Sequence, residues 1–337
     1  MKEPNLTLQQ LQTIDSLPIS GTSLDVLDME RVRAHIASAT KQLRFNGDPD
    51  PVEYLIRSRC MVKEGAELLA TPTGILAFGH EPQRYFANTG VNIVHYRGST
   101  PNSIEVMHIE RSIGGTVFDQ IASIEAYLKA HNRRGMTIEG GYERVEIYEY
   151  PPVVLRELSV NMIAHRDYRD LYTQAIVKVF DNHIEWNNPG GLPEGVTIDR
   201  LLDVQRSRNP ALFALLFERG FIEGVGQGLD TVVATLAQAK MRPAEFEDIN
   251  NAFFVARVWR RPIETLFQQD IYAQLNVRQK EMIEIMRQQG EVTLGTLKDV
   301  LGADISSRQI LRDLHGLMEH GFIKVIGRSR NTRYCLQ

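Results

Sequence analysis

The stretch Val153-Val154-Leu155-Arg156-Glu157-Leu158-Ser159-Val160-Asn161-Met162-Ile163-Ala164-His165, after Pro151-Pro152, most narrows what this chain can fold into. It reads as a helix from about Val153 to His165. At 100° per residue, Glu157, Asn161 and His165 drift only roughly 40° per step and share one stripe. Leu155, Leu158 and Met162 lie beside that stripe, so the polar groups border a buried face. A carboxylate, an amide and an imidazole there suit the floor of a ligand site. The carboxylate can accept a proton, and the amide oxygen can ligate a hard cation such as Mg²⁺. The plainer alternative is three polar side chains on a half-exposed helix face.

Two glycine-bearing loops add context. A strand ends in Asn187-Asn188-Pro189-Gly190-Gly191-Leu192-Pro193, and Gly224-Val225-Gly226-Gln227-Gly228-Leu229 directly precedes a helix. Glycines let main-chain amides approach an anion, and a helix N-terminus adds its dipole. Taken alone, the second cluster reads better as a loop between two helices.

The remaining pattern sets the frame. A length of 337 residues suggests two or three domains. With 43% hydrophobic and 24% charged residues, disorder and disulfide-scaffold classes are excluded. Net charge is −4, so any nucleic-acid contact must be a local patch. Cys60 and Cys335 have no zinc or CxxC spacing and fit a reducing compartment. The N-terminus lacks a signal-peptide pattern and no run is apolar enough for a membrane helix, so a cytoplasmic protein is expected.

Along the chain, helices are expected at Val26–Leu43, Val52–Met61, Phe118–Ala130, Ile198–Val204, Pro210–Arg219 and Leu229–Lys240. Strands are expected at Leu68–Ala70, Gly74–Phe78, Val91–Tyr96, Ser103–Ile109, Val145–Tyr150, Gln174–Phe180, His183–Asn187 and Ala252–Trp259. Gly135, Gly140 and Gly141 read as a loosening, and Arg260-Arg261-Pro262 as a linker. His80, His95 and His108 have no metal-ligand spacing and carry no assigned role.

The tail changes character. Helices at Val277–Gln289, Leu294–Leu301 and Ser306–His320, then strands at Phe322–Ile326 and Arg333–Leu336, give the order of a winged helix-turn-helix. Ser306, Ser307, Arg308 and Arg312 fall on the early turns of the third helix. Arg328, Arg330 and Arg333 fall in or beside the wing. From Ile305 onward, six basic residues face two acidic ones, a local balance of +4 suited to the phosphates of double-stranded DNA. The plainer alternative is a protein–protein winged helix.

The run Arg156–Tyr168, with Asn188-Pro189-Gly190-Gly191-Leu192-Pro193, Ser207-Arg208-Asn209-Pro210 and Gly226-Gln227-Gly228, resembles the motifs of a bacterial and archaeal family. That family is described as transcriptional regulators, or as similar to the RecG helicase C-terminal region. Its central module is a divergent GHKL-type (histidine-kinase, gyrase, Hsp90-like) ATPase domain, and a Schlafen-type AlbA-like domain usually precedes it. That first domain is not found here. The resemblance implies an α+β chain with a Bergerat-type α/β sandwich in the centre and a C-terminal winged helix-turn-helix. The expected divisions are a helical segment 1–50, a linking region 51–140, the GHKL-like domain 141–262 and the winged helix 269–337.

The resemblance also implies roles. Glu157 would match the water-activating carboxylate and Asn161 the Mg²⁺ ligand. Asn187 would face adenine, with His165, Gly190, Gly191 and Asn209 around the nucleotide and Gly226 and Gly228 by its phosphates. The sequence departs from the pattern at Asn187, where an aspartate is usual, and at Pro189-Gly190-Gly191; no lid lysine is visible. There is no G-x-x-x-x-G-K-[ST], so the chain by itself is not a helicase. The leading expectation is a homodimeric DNA-binding transcriptional regulator that senses ATP or a related nucleotide with Mg²⁺. A slow ATPase and a catalytically dead scaffold are the alternatives.

Overall fold

The computed structural model describes residues 13–101, 106–139, 143–204, 206–223, 228–261, 275–302, 305–327 and 332–336. Two compact units emerge. One joins Met1–Asn132 to Tyr150–Arg260, and the other joins Arg133–Glu149 to Arg261–Gln337.

In chain order the first unit carries α1 (Met29–Lys41), α2 (Pro51–Arg57), β1 (Met61–Glu64), β2 (Glu67–Ala70), α3 (Pro72–Phe78), α4 (Pro82–Tyr85), β3 (Val91–Tyr96), β4 (Val106–Ile113) and α5 (Val117–His131). The hairpin β5 (Arg134–Glu139) and β6 (Glu143–Tyr148) then departs to the second unit. The first unit resumes with α6 (Pro152–His165), β7 (Ala175–Val179), β8 (His183–Pro189), α7 (Pro210–Glu218), α8 (Gly228–Gln238), β9 (Glu245–Ile249) and β10 (Phe253–Trp259). Asn132 fastens the two stems of the departure: its Nδ2 donates to the Tyr150 carbonyl at 2.8 Å, and the Tyr150 N–H donates to its Oδ1 at 3.1 Å.

The first unit is built on a six-stranded sheet ordered β4-β3-β7-β8-β10-β9, with β3 and β7 parallel and every other neighbour antiparallel. Along β7, Ala175, Val177 and Val179 are buried and alternate with half-buried Ile176 and Lys178. This period of two turns one face towards helices. On that face Ile93, Val177, Trp186 and Val258 pack with Ile121 and Ile124 of α5, Leu158 and Met162 of α6, Leu212 and Leu216 of α7, and Val232 and Leu236 of α8. The mixed α+β arrangement with a central mixed sheet fits an α/β sandwich. Pro152 at the first turn suits the start of α6, which lacks a side-chain cap. Eight of its side chains are buried, so it is an interior helix rather than a surface one.

A second apolar cluster gathers Val32 and Ile36 of α1, Tyr54 and Leu55 of α2, Ile75 and Phe78 of α3, and Leu215 of α7. Helix α7 therefore contributes to both clusters. Its first amides are capped from far away: Asp15, buried in a single 3₁₀ turn, accepts the Ala211 N–H at 2.8 Å and the Leu212 N–H at 3.2 Å.

The second unit continues with α9 (Val277–Gln289), α10 (Leu294–Leu301), α11 (Ser307–Glu319), β11 (Ile323–Ile326) and β12 (Arg333–Leu336). Met282, Ile283 and Met286, Leu297, Ile310, Leu314 and Leu317, Ile323 and Tyr334 form its own core. Buried Asp313 of α11 accepts from Arg278 Nε at 2.8 Å and Asn276 Nδ2 at 2.9 Å, tying α11 to the start of α9.

Several expectations change. Gly74–Phe78 is helical, not a strand: Pro72 occupies the first turn of α3 and Thr71 Oγ1 accepts the Gly74 N–H at 3.1 Å. The first long helix begins at Met29, because Asp28, not Ser23, caps it. Between Ile198 and Val204 only a 3₁₀ turn, Ile198–Arg200, forms. The predicted helix Val52–Met61 is short, and Met61 opens β1. Strands β5 and β9 were not expected. Gly140, Gly141, Pro262 and the start of the predicted strand Ser103–Ile109 lie outside the described residues.

Candidate functional site

Between α6, the sheet and the segment after β8 lies a cavity of about 360 Å³. That size is in the range of small-molecule sites. Its floor is apolar, with Leu158 and Met162 of α6, Trp186 of β8, Phe213 of α7, Leu229 of α8 and Phe254 of β10. Trp186 is held by a hydrogen bond from its Nε1 to Ser159 Oγ at 3.1 Å. The polar lining is Glu157, Asn161, His165, Asn188, Arg206, Ser207 and Asp230. The helix stripe read from the sequence therefore does line one cavity.

The stripe is differentiated along its length. Burial pushes the Glu157 carboxyl up, with Arg156 opposing and Glu223 reinforcing the rise. A raised carboxyl is a stronger base than a free one. His165 is pushed down to about 4, chiefly by burial and further by the Arg208 guanidinium. The imidazole is therefore neutral at physiological pH. Asn161 Nδ2 is buried without a hydrogen-bond partner among the described residues.

One residue of register separates the two asparagines of the loop. Ile184, Trp186 and Asn188 share the helix-facing side of β8, and Asn188 lines the cavity. Its Oδ1 is buried and unpartnered among the described residues. Asn187 points to the other side of the sheet, where its Oδ1 receives Lys178 Nζ at 3.4 Å. The sequence expectation put Asn187 in the site, but the residue of this pair that lines the cavity is Asn188. Strand alternation carries this, since adjacent residues face opposite ways.

The glycines of the loop after β8 are tied into the sheet. Gly190 and Gly191 border the cavity, but their N–H groups are committed to the Ala252 carbonyl at 2.8 Å and the Asn251 carbonyl at 3.2 Å. They also permit close packing. A β-carbon on Gly191 would stand 2.5 Å from Asn251 Cα. Arg208 staples this loop, donating to the Gly191 carbonyl at 2.6 Å and to Asp167 Oδ2 at 3.2 Å. Asn209 is not part of the lining. Its Nδ2 donates to the carbonyls of Ala164 and Arg166, at 3.0 and 2.8 Å, and closes the end of α6.

Gly228, the first residue of α8, lies against the helix stripe: a β-carbon there would stand 2.9 Å from Glu157 Oε2 and 3.2 Å from Asn161 Nδ2. The N-terminus of α8 thus meets Glu157 and Asn161. Gly226 lies outside the described residues. Among the described residues no group of three or more His, Cys, Asp or Glu side chains is placed to hold a metal. A Mg²⁺ here would rest on Glu157 or Asn161 together with oxygens of its ligand, the usual manner for that ion.

In the second unit Ser306 caps α11 in a reciprocal pair with Gln309, and Arg308 and Arg312 are exposed on its outer side. Arg333 is occupied by Glu291 at 3.1 Å. Arg328 and Arg330 lie outside the described residues. No helix among the described residues is long and apolar enough to cross a membrane.

Comparison with known proteins bears on part of this geometry. Residues 173–256 match a family model described as "Putative ATP-dependent DNA helicase recG C-terminal". The match runs from β7 into β10 and takes in Asn188, the Gly190-Gly191 loop and α8, but not α6. No curated protein matches. Among solved structures, the fold is similar to the DIP2311 protein from Corynebacterium diphtheriae, at 18% identity and a TM-score of 0.58. That likeness covers 97% of this chain and 64% of that one.

Proposed function

We propose that this chain is a DNA-binding regulator whose cavity takes ATP or a related nucleotide, with Mg²⁺, as effector. The observation that carries the nucleotide half is the pair of buried, unpartnered amide atoms in one apolar cavity. Asn188 Oδ1 offers an acceptor and Asn161 Nδ2 a donor, and buried groups of this kind normally have partners. An adenine amine suits Asn188 Oδ1. The apolar floor suits the base, and the α8 terminus beside Glu157 and Asn161 suits phosphates bridged by a cation. The ATPase-type family match over the sheet side of the cavity supports this reading.

Titration calorimetry tests it. ATP with Mg²⁺ is expected to bind the wild type, and Asn188→Ala or Asn161→Ala to weaken binding by about 1–3 kcal/mol, roughly 5- to 150-fold. No heat from any of the three proteins would remove the nucleotide from the account.

The DNA half rests on the second unit: three helices and a hairpin in winged-helix order, with Arg308 and Arg312 exposed on the third helix. Arg308→Ala with Arg312→Ala is expected to weaken duplex binding across all sequences and lower the salt slope by about 2. Unchanged binding would defeat that assignment. A homodimer would match paired half-sites, and the effector would act by favouring one dimer arrangement over another.

One observation favours a second reading, slow hydrolysis. Glu157 is a carboxyl raised by burial, one helical turn from the asparagine that would hold the cation. Glu157→Gln would then abolish phosphate release while leaving ATP binding intact.

A further inference from the structure

We propose that the free edge of β4 is the surface on which a second copy of this chain docks, β4 against β4, antiparallel, with Ile109 on the two-fold axis. This gives a location to the dimer of the preceding reading, but it depends on neither nucleotide nor DNA.

The two edges of the six-stranded sheet are guarded differently. β9 is five residues long and reads Glu245-Phe246-Glu247-Asp248-Ile249, so three carboxylates line its short edge. Shortness and charge are the ordinary means of stopping an edge strand from pairing. β4 has eight residues, and seven of them are exposed. Val106, Met107 and Ile109 are 43%, 56% and 38% exposed. No proline interrupts the strand, and its outer row of main-chain groups has no neighbour among the described strands. Bulges interrupt its pairing with β3 between Val106 and His108 and between Glu110 and Ile113, and Ser112 has a left-handed φ of 52°, which leaves His108, Ile109 and Glu110 in regular register opposite His95, Val94 and Ile93.

The sequence of β4 is complementary to itself in one register. A two-fold axis normal to the sheet sets each residue opposite one of the same parity, because facing residues share a side of the sheet. With Ile109 on the axis, Ile109 meets Ile109 and His108 meets Glu110. Within one copy His108 Nε2 already stands 2.7 Å from Glu110 Oε1, both about half exposed. Pairing closes a square of two imidazoles and two carboxylates with unlike groups on every side. Moving the axis to Glu110 sets carboxylate against carboxylate, and moving it to Arg111 sets guanidinium against guanidinium. Self-complementary charge at His108 and Glu110 therefore favours a second copy of this strand as occupant, with Ile109 preferred over Glu110 or Arg111 as the centre.

Light scattering on the full chain, without nucleotide or DNA, is expected to report a dimer. Ile109→Lys places two ammonium groups on the axis and is expected to give a monomer with an unchanged circular dichroism spectrum. In a Cys335→Ser background, which leaves only buried Cys60, Ile109→Cys is expected to form a disulfide-linked dimer on mild oxidation. Arg111→Cys, two residues from the axis, is expected not to. A monomeric wild type, a dimer that survives Ile109→Lys, or cross-linking at 111 but not at 109 would each overturn the proposal. None of these results would alter calorimetry on the cavity, so the two readings stand or fall separately.

Discussion

Arg166→Ala is expected to lose roughly 3–5 kcal/mol of unfolding free energy, the largest effect of any single change considered. Arg166 follows α6 directly and is only 1% exposed. It has no ion-pair partner among the described residues. Instead Nη1 donates to the carbonyls of Thr89 and Gly90 at 2.9 and 3.0 Å, and Nη2 donates to those of Asn88 and Thr173. Those carbonyls belong to the segments entering β3 and β7, the one parallel pair in the sheet. The planar fork thus fixes the end of α6 to both strand entries and sets where Glu157 and Asn161 stand over the sheet. Truncation strands buried acceptors and opens a void. Arg166→Lys should recover little, since an ammonium cannot span both segments. Urea unfolding followed by tryptophan fluorescence reads the loss. A change below about 1 kcal/mol would show that water replaces the guanidinium.

Acid is expected to weaken the fold through His165. The unfolded imidazole titrates near 6.5 and the folded one near 4. Above 6.5 both are neutral and nothing is lost. Between 6.5 and 4 the unfolded chain takes up a proton that the folded chain refuses, so stability falls as pH falls through that window. The loss by pH 4 is on the order of 2 kcal/mol, allowing for partial water access. Two other groups separate cleanly. Glu185 is drawn down to about 2 by its hydrogen bonds with His183 and then Arg257, so its contribution disappears only below about 4.5. The raised carboxyl of Glu157 works in the opposite sense, favouring the folded state as pH falls. Thermal unfolding of wild type and His165→Phe from pH 7 to 4 tests this. The variant should show a flatter profile, and parallel profiles would remove His165 as the cause.

The legible parts of the chain were those where one period dominated. Helix α6 and the three C-terminal helices emerged within a residue or two, because apolar spacing and N-caps such as Asn276, Thr293 and Ser306 agree there. Gly74–Phe78 misleads because Ile75, Leu76, Ala77 and Phe78 are all buried, which erases any period. The informative signal was upstream, in Thr71-Pro72. Strand β9 is hidden by its carboxylates, whose partners include residues of another strand: Glu245 is met by Arg257 and Trp259 of β10 as well as by nearby Arg242. The site was legible as a stripe on a helix, but its opposite wall was not. Asn188 and Asp230 reach the cavity only through strand parity and the entry angle of α8, and neither is a local property of the sequence.

The cap that Asp15 places on α7 has a consequence in time. The carboxylate and the amides it satisfies are separated by 196 positions, so the contact must await the return of the chain to its own beginning. Contacts of such separation are made late and slow folding, because the intervening loop must close first. During synthesis α7 emerges after α1, α2 and α3, so the cap forms only when this late segment packs back on the start of the chain. The wall of the cavity and the N-terminal apolar cluster thus share one late-arriving helix.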